Sequence, residues 1–101
     1  MFGDIKGKQE EMQKKLAAIT VQAESGDDAV IVEANANKEI LNISINAEKV
    51  DLTDKEQLED LILIAVNRAI ELAKVKEAEA TQSMIQDLLP PGMGDLGNLF
   101  E

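Results

Sequence analysis

Apolar residues recur along this chain with two different periods, and the change of period divides it into elements. From Leu58 to Val75 the sequence LEDLILIAVNRAIELAKV places Leu58, Leu61, Ile62, Ala65, Ala69 and Ala73 at three- and four-residue spacings, the signature of one face of an amphipathic helix. Leu63, Ile64, Val66, Ile70 and Leu72 point to other sectors, so this helix needs cover on more than one side. Upstream, three short runs alternate with period two. Ile19, Val21 and Ala23 oppose Thr20, Gln22 and Glu24; Val30, Val32 and Ala34 oppose Ile31, Glu33 and Asn35; Leu41, Ile43 and Ile45 oppose Asn42, Ser44 and Asn46. Each reads as a half-buried antiparallel strand. Ser25-Gly26-Asp27-Asp28 and Asn35-Ala36-Asn37-Lys38 supply the turns, with Gly26 and Asn37 the residues suited to positive φ.

Before the strands, Ile5 to Ile19 reads as a helix whose thin stripe, Ile5, Met12, Leu16 and Ile19, requires a support, for which the long helix is the natural candidate. Glu10 with Lys14 and Glu11 with Lys15 are spaced to pair along it. After the strands, Ala47 to Leu52 is a linker and Thr53-Asp54-Lys55-Glu56 is a capping-box pattern that starts the long helix, which can run to about Ile85. Residues 1–87 therefore form one α+β domain: a helix, a three-stranded antiparallel meander and a long helix in two layers. Leu88 to Glu101, with Pro90, Pro91, Gly92 and Gly94, is expected as an irregular, flexible tail, although Leu96, Leu99 and Phe100 are unusual in one.

Length fixes a single domain with little apolar surface to spare: 101 residues bury only a modest core. The sequence has no cysteine and no histidine, which removes disulfides, Cys/His zinc sites and imidazole catalysis. The carboxylates Glu56, Glu59 and Asp60 sit where the helix dipole favours negative charge and call for no acid/base chemistry. Glycines at positions 3, 7, 92 and 94 lack the Lys-Ser/Thr of a phosphate loop. No enzyme, cofactor, metal or small-molecule substrate is expected. The amino-terminal stretch has no signal-peptide core and no run is long enough to span a membrane, so a cytoplasmic protein without membrane contact is expected.

Net charge is -10, unevenly spread: residues 1–19 carry Lys6, Lys8, Lys14 and Lys15 against Asp4, Glu10 and Glu11, while the rest is acidic. Polyanion binding therefore requires positive charge concentrated on one element.

The order of elements, the run Leu58-Glu59-Asp60-Leu61 followed by Asn67-Arg68-Ala69, the Met1-Phe2-Gly3 start, the Glu24-Ser25-Gly26 turn and Leu89-Pro90-Pro91-Gly92-Met93 together resemble the YbaB/EbfC family of bacterial nucleoid-associated proteins over nearly the whole chain. The resemblance implies a homodimer whose sheets and long helices form a body, with helical arms that embrace double-stranded DNA without strong sequence preference and influence gene expression in the nucleoid. It places DNA contacts on the first helix and the distal last helix, which here hold Lys6, Lys8, Lys14, Lys15, Lys74 and Lys76. At the second hairpin, where family members usually carry glycine, this chain has Ala36-Asn37.

For the lysines the competing reading is a solvated helix face. Leu61, Ile62, Ile64, Ala65 and Ala69, joined by Ile43 and Ile45 of the third strand, are candidates for a subunit interface as well as for core. Asn67, polar amid the apolar helix, is expected to satisfy a strand end. The alternative function is a protein-binding adaptor that docks partners through the exposed helix end and the tail.

Overall fold

The computed structural model describes residues 2–88, with side chains from Gly7 to Asp87. Its order is α1 (Phe2–Ala18), β1 (Thr20–Ser25), β2 (Val30–Asn35), β3 (Ile40–Ile45) and α2 (Lys55–Leu88). The strands form one antiparallel sheet in the order β1-β2-β3. This is the expected α+β arrangement in two layers, with α2 laid across one face of the meander.

Register explains which residues make the core. Val21 faces Ala34 and Ala23 faces Val32 across the first pair, while Val30 faces Ile45 and Val32 faces Ile43 across the second. All of these project toward α2, because directly opposed residues share a face. Ala65, Ala69 and Ala73 of α2 are fully buried on Val21, Ala23, Val30, Val32 and Ala34, flanked by Leu58, Leu61, Ile62 and Val66. The alanines let the helix axis come close to the sheet. Their small size serves this intrachain contact, and Val66, expected in another sector, joins it.

α2 lies over β1 and β2 and leaves β3 uncovered, so every residue of β3 is exposed. At 34 residues the helix is about 51 Å long. Six-residue strands reach only ~20 Å, so a large part of α2 projects past the sheet.

Three local features differ from the sequence expectation, each for a hydrogen-bonding reason. The long helix is capped by Asp54, whose carboxylate accepts the Gln57 amide at 3.1 Å. Thr53 is occupied elsewhere, donating both its amide and its hydroxyl to Asp51. These two bonds, the hydroxyl first, hold the Asp51 carboxyl below its ordinary value. In the second hairpin the positive φ falls on Lys38, at 65°, rather than on Asn37. Asn35 sets this turn: buried, it accepts the Asn37 and Glu39 amides at 3.0 and 3.1 Å and donates to the Glu39 carboxylate at 2.8 Å. Asn37 instead donates its side-chain amide to the Gln13 carbonyl of α1 at 2.9 Å.

That last bond belongs to the third difference. α1 is anchored on the β2–β3 turn rather than laid along α2. The Leu16 carbonyl accepts the Ala36 amide at 3.1 Å, Leu16 is buried, and Ala36 also donates to Ile19 at 2.9 Å.

The first hairpin favours glycine at position 26. Gly26, Asp27 and Asp28 all have positive φ, and a Cβ on Gly26 would lie 2.9 Å from the Leu61 Cδ2. Next to it the buried Ser25 donates its hydroxyl to the Leu61 carbonyl at 2.6 Å, clasping the turn to α2.

Candidate nucleic-acid interface

The lysines expected to meet phosphate do not form one strip within a subunit. Lys8 and Lys15 are seven residues apart on α1 and share its inner face with Met12. Lys14, one residue before Lys15, points about 100° away. All three are exposed. The ion pairs among the described residues are Lys38 with Glu77 at 3.3 Å, Lys74 with Glu71 at 3.4 Å and Lys76 with Glu79 at 3.4 Å. Lys74 and Lys76 are thus accompanied by carboxylates on the preceding or following turn, whereas the spaced pairs Glu10–Lys14 and Glu11–Lys15 do not close. The Lys6 side chain lies outside the described residues. Positive charge is therefore least compensated on α1.

The inner face of α1 looks across a cleft of about 390 Å³ at the distal part of α2, with Lys8, Glu11, Met12 and Lys15 on one wall and Met84 and Asp87 on the other. An adjoining hollow of about 260 Å³ continues toward Leu16, Ile19 and Ala80. Two helix ends thus project beyond the sheet with a gap between them.

The interface candidates divide into three groups. Ala65 and Ala69 are fully buried under the chain's own sheet and have no surface left to offer a partner. Leu61 is half-buried over the first hairpin, beside Gly26. Ile43 and Ile45 remain 44% and 42% exposed on the face shared with Val32 and Val30, and Ile62 is half-buried on α2. Ile64, 42% exposed, lies about 200° around the helix from Ile62. It belongs to the sector facing the free edge of β1, where Leu72 and Val75 line a groove of about 600 Å³ with Ala23, Glu24, Asn67, Arg68 and Glu71. Asn67 is exposed on this rim. The strand end is satisfied by the next residue: Arg68 donates its Nη1 to the Glu24 carbonyl at 2.8 Å. The signal for that role was present in the sequence, as the sole arginine of the chain one position from Asn67.

A family model described as the YbaB/EbfC DNA-binding family matches residues 1–88, every described element included. The chain belongs to the YbaB/EbfC DNA-binding family. Relatives agree: it is 42% identical to the nucleoid-associated protein THEYE_A1069 of Thermodesulfovibrio yellowstonii, over 99% of this chain and 94% of that one. A nucleoid-associated protein of Acidobacterium capsulatum is 41% identical, over 92% of each chain. Among solved structures, the uncharacterized protein HP0035 from Helicobacter pylori superposes with a TM-score of 0.68 at 19% identity, covering 83% of this chain and 88% of that one, a likeness of fold. As a YbaB/EbfC chain, this protein is a DNA-binding nucleoid protein rather than a member of an enzyme family. No helix among the described residues is long and apolar enough to cross a membrane.

Proposed function

We propose that the protein binds duplex DNA as a homodimer, gripping the phosphate backbone with the projecting ends of α1 and α2, and that it acts in the nucleoid as its relatives' names suggest. The observation that carries this reading is where the charge lies. In a family described by DNA binding, Lys8, Lys14 and Lys15 are exposed and form no ion pair among the described residues, and unlike Lys49 and Lys55, which share that state singly, they lie together on one element that projects from an otherwise acidic body. Lysine contacts to phosphate give affinity without base discrimination, and the chain has no tyrosine or tryptophan to stack on bases. Lys6 on α1 is assigned the same role, while Lys74 and Lys76 contribute less because their ion pairs must first open.

The dimer is inferred from unspent apolar surface. β3 has an uncovered face, and Ile43, Ile45 and Ile62 form a patch that a two-fold related copy would close. Two copies would set two α1–α2 arms on a common body.

Fluorescence anisotropy of a labelled duplex tests the reading. Affinity should fall steeply between about 50 and 200 mM salt and differ little between unrelated sequences, and Lys8→Gln with Lys15→Gln should lower the salt slope by roughly 0.9 for each phosphate that is no longer neutralised. Absence of binding at the lower salt would refute DNA binding and favour a protein partner at the helix ends. An unchanged slope in the double variant would remove the inner face of α1 from the DNA-binding surface.

A further inference from the structure

The two arms are joined through a third element. Among the described residues no hydrogen bond or ion pair runs directly between α1 and α2, and the cleft and its adjoining hollow lie between them. The turn between β2 and β3 bonds to both. We propose that this turn is a brace that sets the angle between the arms, with Asn37 and Lys38 as the positioning residues that hold the root of each. The consequence for DNA rests on the reading above; the brace itself does not.

On the α1 side, Asn37 donates its Nδ2 to the Gln13 carbonyl at 2.9 Å, three residues before the buried Leu16. On the α2 side, Lys38 donates its Nζ to the Glu77 carboxylate at 3.3 Å. Ala73 is the last fully buried residue of α2, so Glu77, four residues and about 6 Å further on, stands where the helix leaves the sheet. Phe2 to Gln13 and Glu77 to Leu88 are each eleven helical steps, so about 16 Å of arm extends beyond each contact. A tilt of roughly 10° at either root moves the tip by about 3 Å, close to the ~3.4 Å rise per phosphate along one DNA strand.

The turn is stiff enough for this role. Buried Asn35 holds it from within by bonds to the Asn37 and Glu39 amides and the Glu39 carboxylate, and the Asn35 carbonyl accepts the Lys38 amide at 2.9 Å. Lys38 keeps φ at 65°, which glycine would adopt more readily, so what lysine adds at this position is its side chain. An ion pair as exposed as Lys38 with Glu77 contributes little to stability, so its effect belongs to arm geometry rather than to melting temperature.

Double electron–electron resonance on the full chain measures that geometry. The sequence has no cysteine, so Glu10→Cys and Gln86→Cys, at exposed positions, put one spin label on each arm, and dilution into excess unlabelled chain confines the distances to one subunit. Lys38→Gly removes the side chain and relieves the backbone: the melting temperature should hold or rise while the distance distribution widens. Lys38→Glu and Glu77→Lys should each widen it, and the two together should narrow it again. Asn37→Ala should widen it from the α1 side. A distribution that none of these substitutions alters would overturn the brace, and a charge-exchanged chain that stays wide would remove the ion pair from it. For DNA, Asn37→Ala is the informative variant because it changes no charge. If about one third of its chains keep the arms correctly set, it should bind duplex about threefold more weakly with the same salt slope. Unchanged affinity alongside a widened distribution would overturn the link to DNA. Failure of the wild type to bind at low salt would refute the DNA reading and leave the distances to decide the brace.

Discussion

Replacing Ile43 and Ile45 together by threonine isolates the proposed subunit contact from the fold of the subunit. Threonine keeps the β-branched shape that suits a strand and changes only the apolar character of the exposed face. Full burial of an isoleucine stabilises by about 1.5–3 kcal/mol, and with 44% and 42% of these side chains still exposed, each has roughly 1 kcal/mol left to gain from a partner. A two-fold interface uses each residue twice, so the four side chains sum to about 3–4 kcal/mol, or a dimer dissociation constant weakened by roughly 10²- to 10³-fold. Sedimentation velocity across a dilution series reads this directly, with circular dichroism to confirm that the subunit remains folded. The melting temperature of the wild type should rise with concentration and that of the variant should follow its weaker association. A wild-type chain that sediments as a stable folded monomer at all concentrations would refute the reasoning. So would a double variant that associates as tightly as the parent, since the patch would then face solvent in the assembly.

Three further outcomes follow from local geometry. Gly26→Ala forces a left-handed residue to carry a Cβ 2.9 Å from Leu61, and should lower stability by about 1–3 kcal/mol in urea unfolding; a loss below a few tenths would mean that the turn relaxes freely. Ala65→Leu overfills a fully buried position between α2 and the sheet and should cost about 1–3 kcal/mol or more, whereas Ile64→Leu on the exposed flank should be nearly neutral, a contrast measurable by thermal unfolding of the two variants side by side. Asp51 should titrate below its ordinary value of 3.8 in a carboxyl-detected NMR titration, because Thr53 donates to the ionised form. Since the folded-state value is depressed, its stabilising contribution is present above about 3.8 and is lost as pH falls through the lower folded value; Thr53→Val should move the titration back up.

The periodicities carried most of the fold. Alternation in β1 and β2 and the Leu58 to Ala73 stripe are consequences of which face meets the core, so they survive in the order of residues; β3, expected half-buried, pairs in register with β2 but is exposed throughout because α2 does not cover it. What escaped was competition among hydrogen-bond partners. Thr53 could cap the helix, but Asp51 is close enough to take both its donors, and Asp54 caps instead. Asn37 could adopt positive φ, but Asn35 organises the turn so that Lys38 does. Local rules rank such residues without choosing between neighbours of similar aptitude. The lysines were legible as residues and not as a surface. A helical wheel separates Lys14 from Lys15, but only the placement of α1 on the β2–β3 turn shows that Lys8 and Lys15 face α2 across a gap. The small residues Ala65 and Ala69 suit either a sheet or a second helix, and packing had to decide that the sheet takes them.

A net charge of -10 and DNA binding are reconciled by distance rather than by composition. Screening shortens the reach of a charge to about 8 Å at physiological ionic strength, while α2 alone is about 51 Å long. Acids on the sheet, the first hairpin and the start of α2 would therefore act weakly on a phosphate held, as proposed, at the far end of the arms. The acids that count are those within a turn or two of the lysines: Glu71 and Glu79 are paired with Lys74 and Lys76, Glu77 beside them is paired with Lys38, Glu10 lies one turn before Lys14, and Glu11 and Asp87 share the cleft rim with Lys8 and Lys15. An arm compensated so nearly to neutrality would bind phosphate only where lysines reach past their neighbouring carboxylates, and on α1 Lys14 and Lys15 are exposed and close no ion pair with Glu10 and Glu11 one turn before them. In the proposed grip the acidic body would keep the remaining surface clear of the duplex, so the charge that looks adverse in the composition would confine contact to the arms.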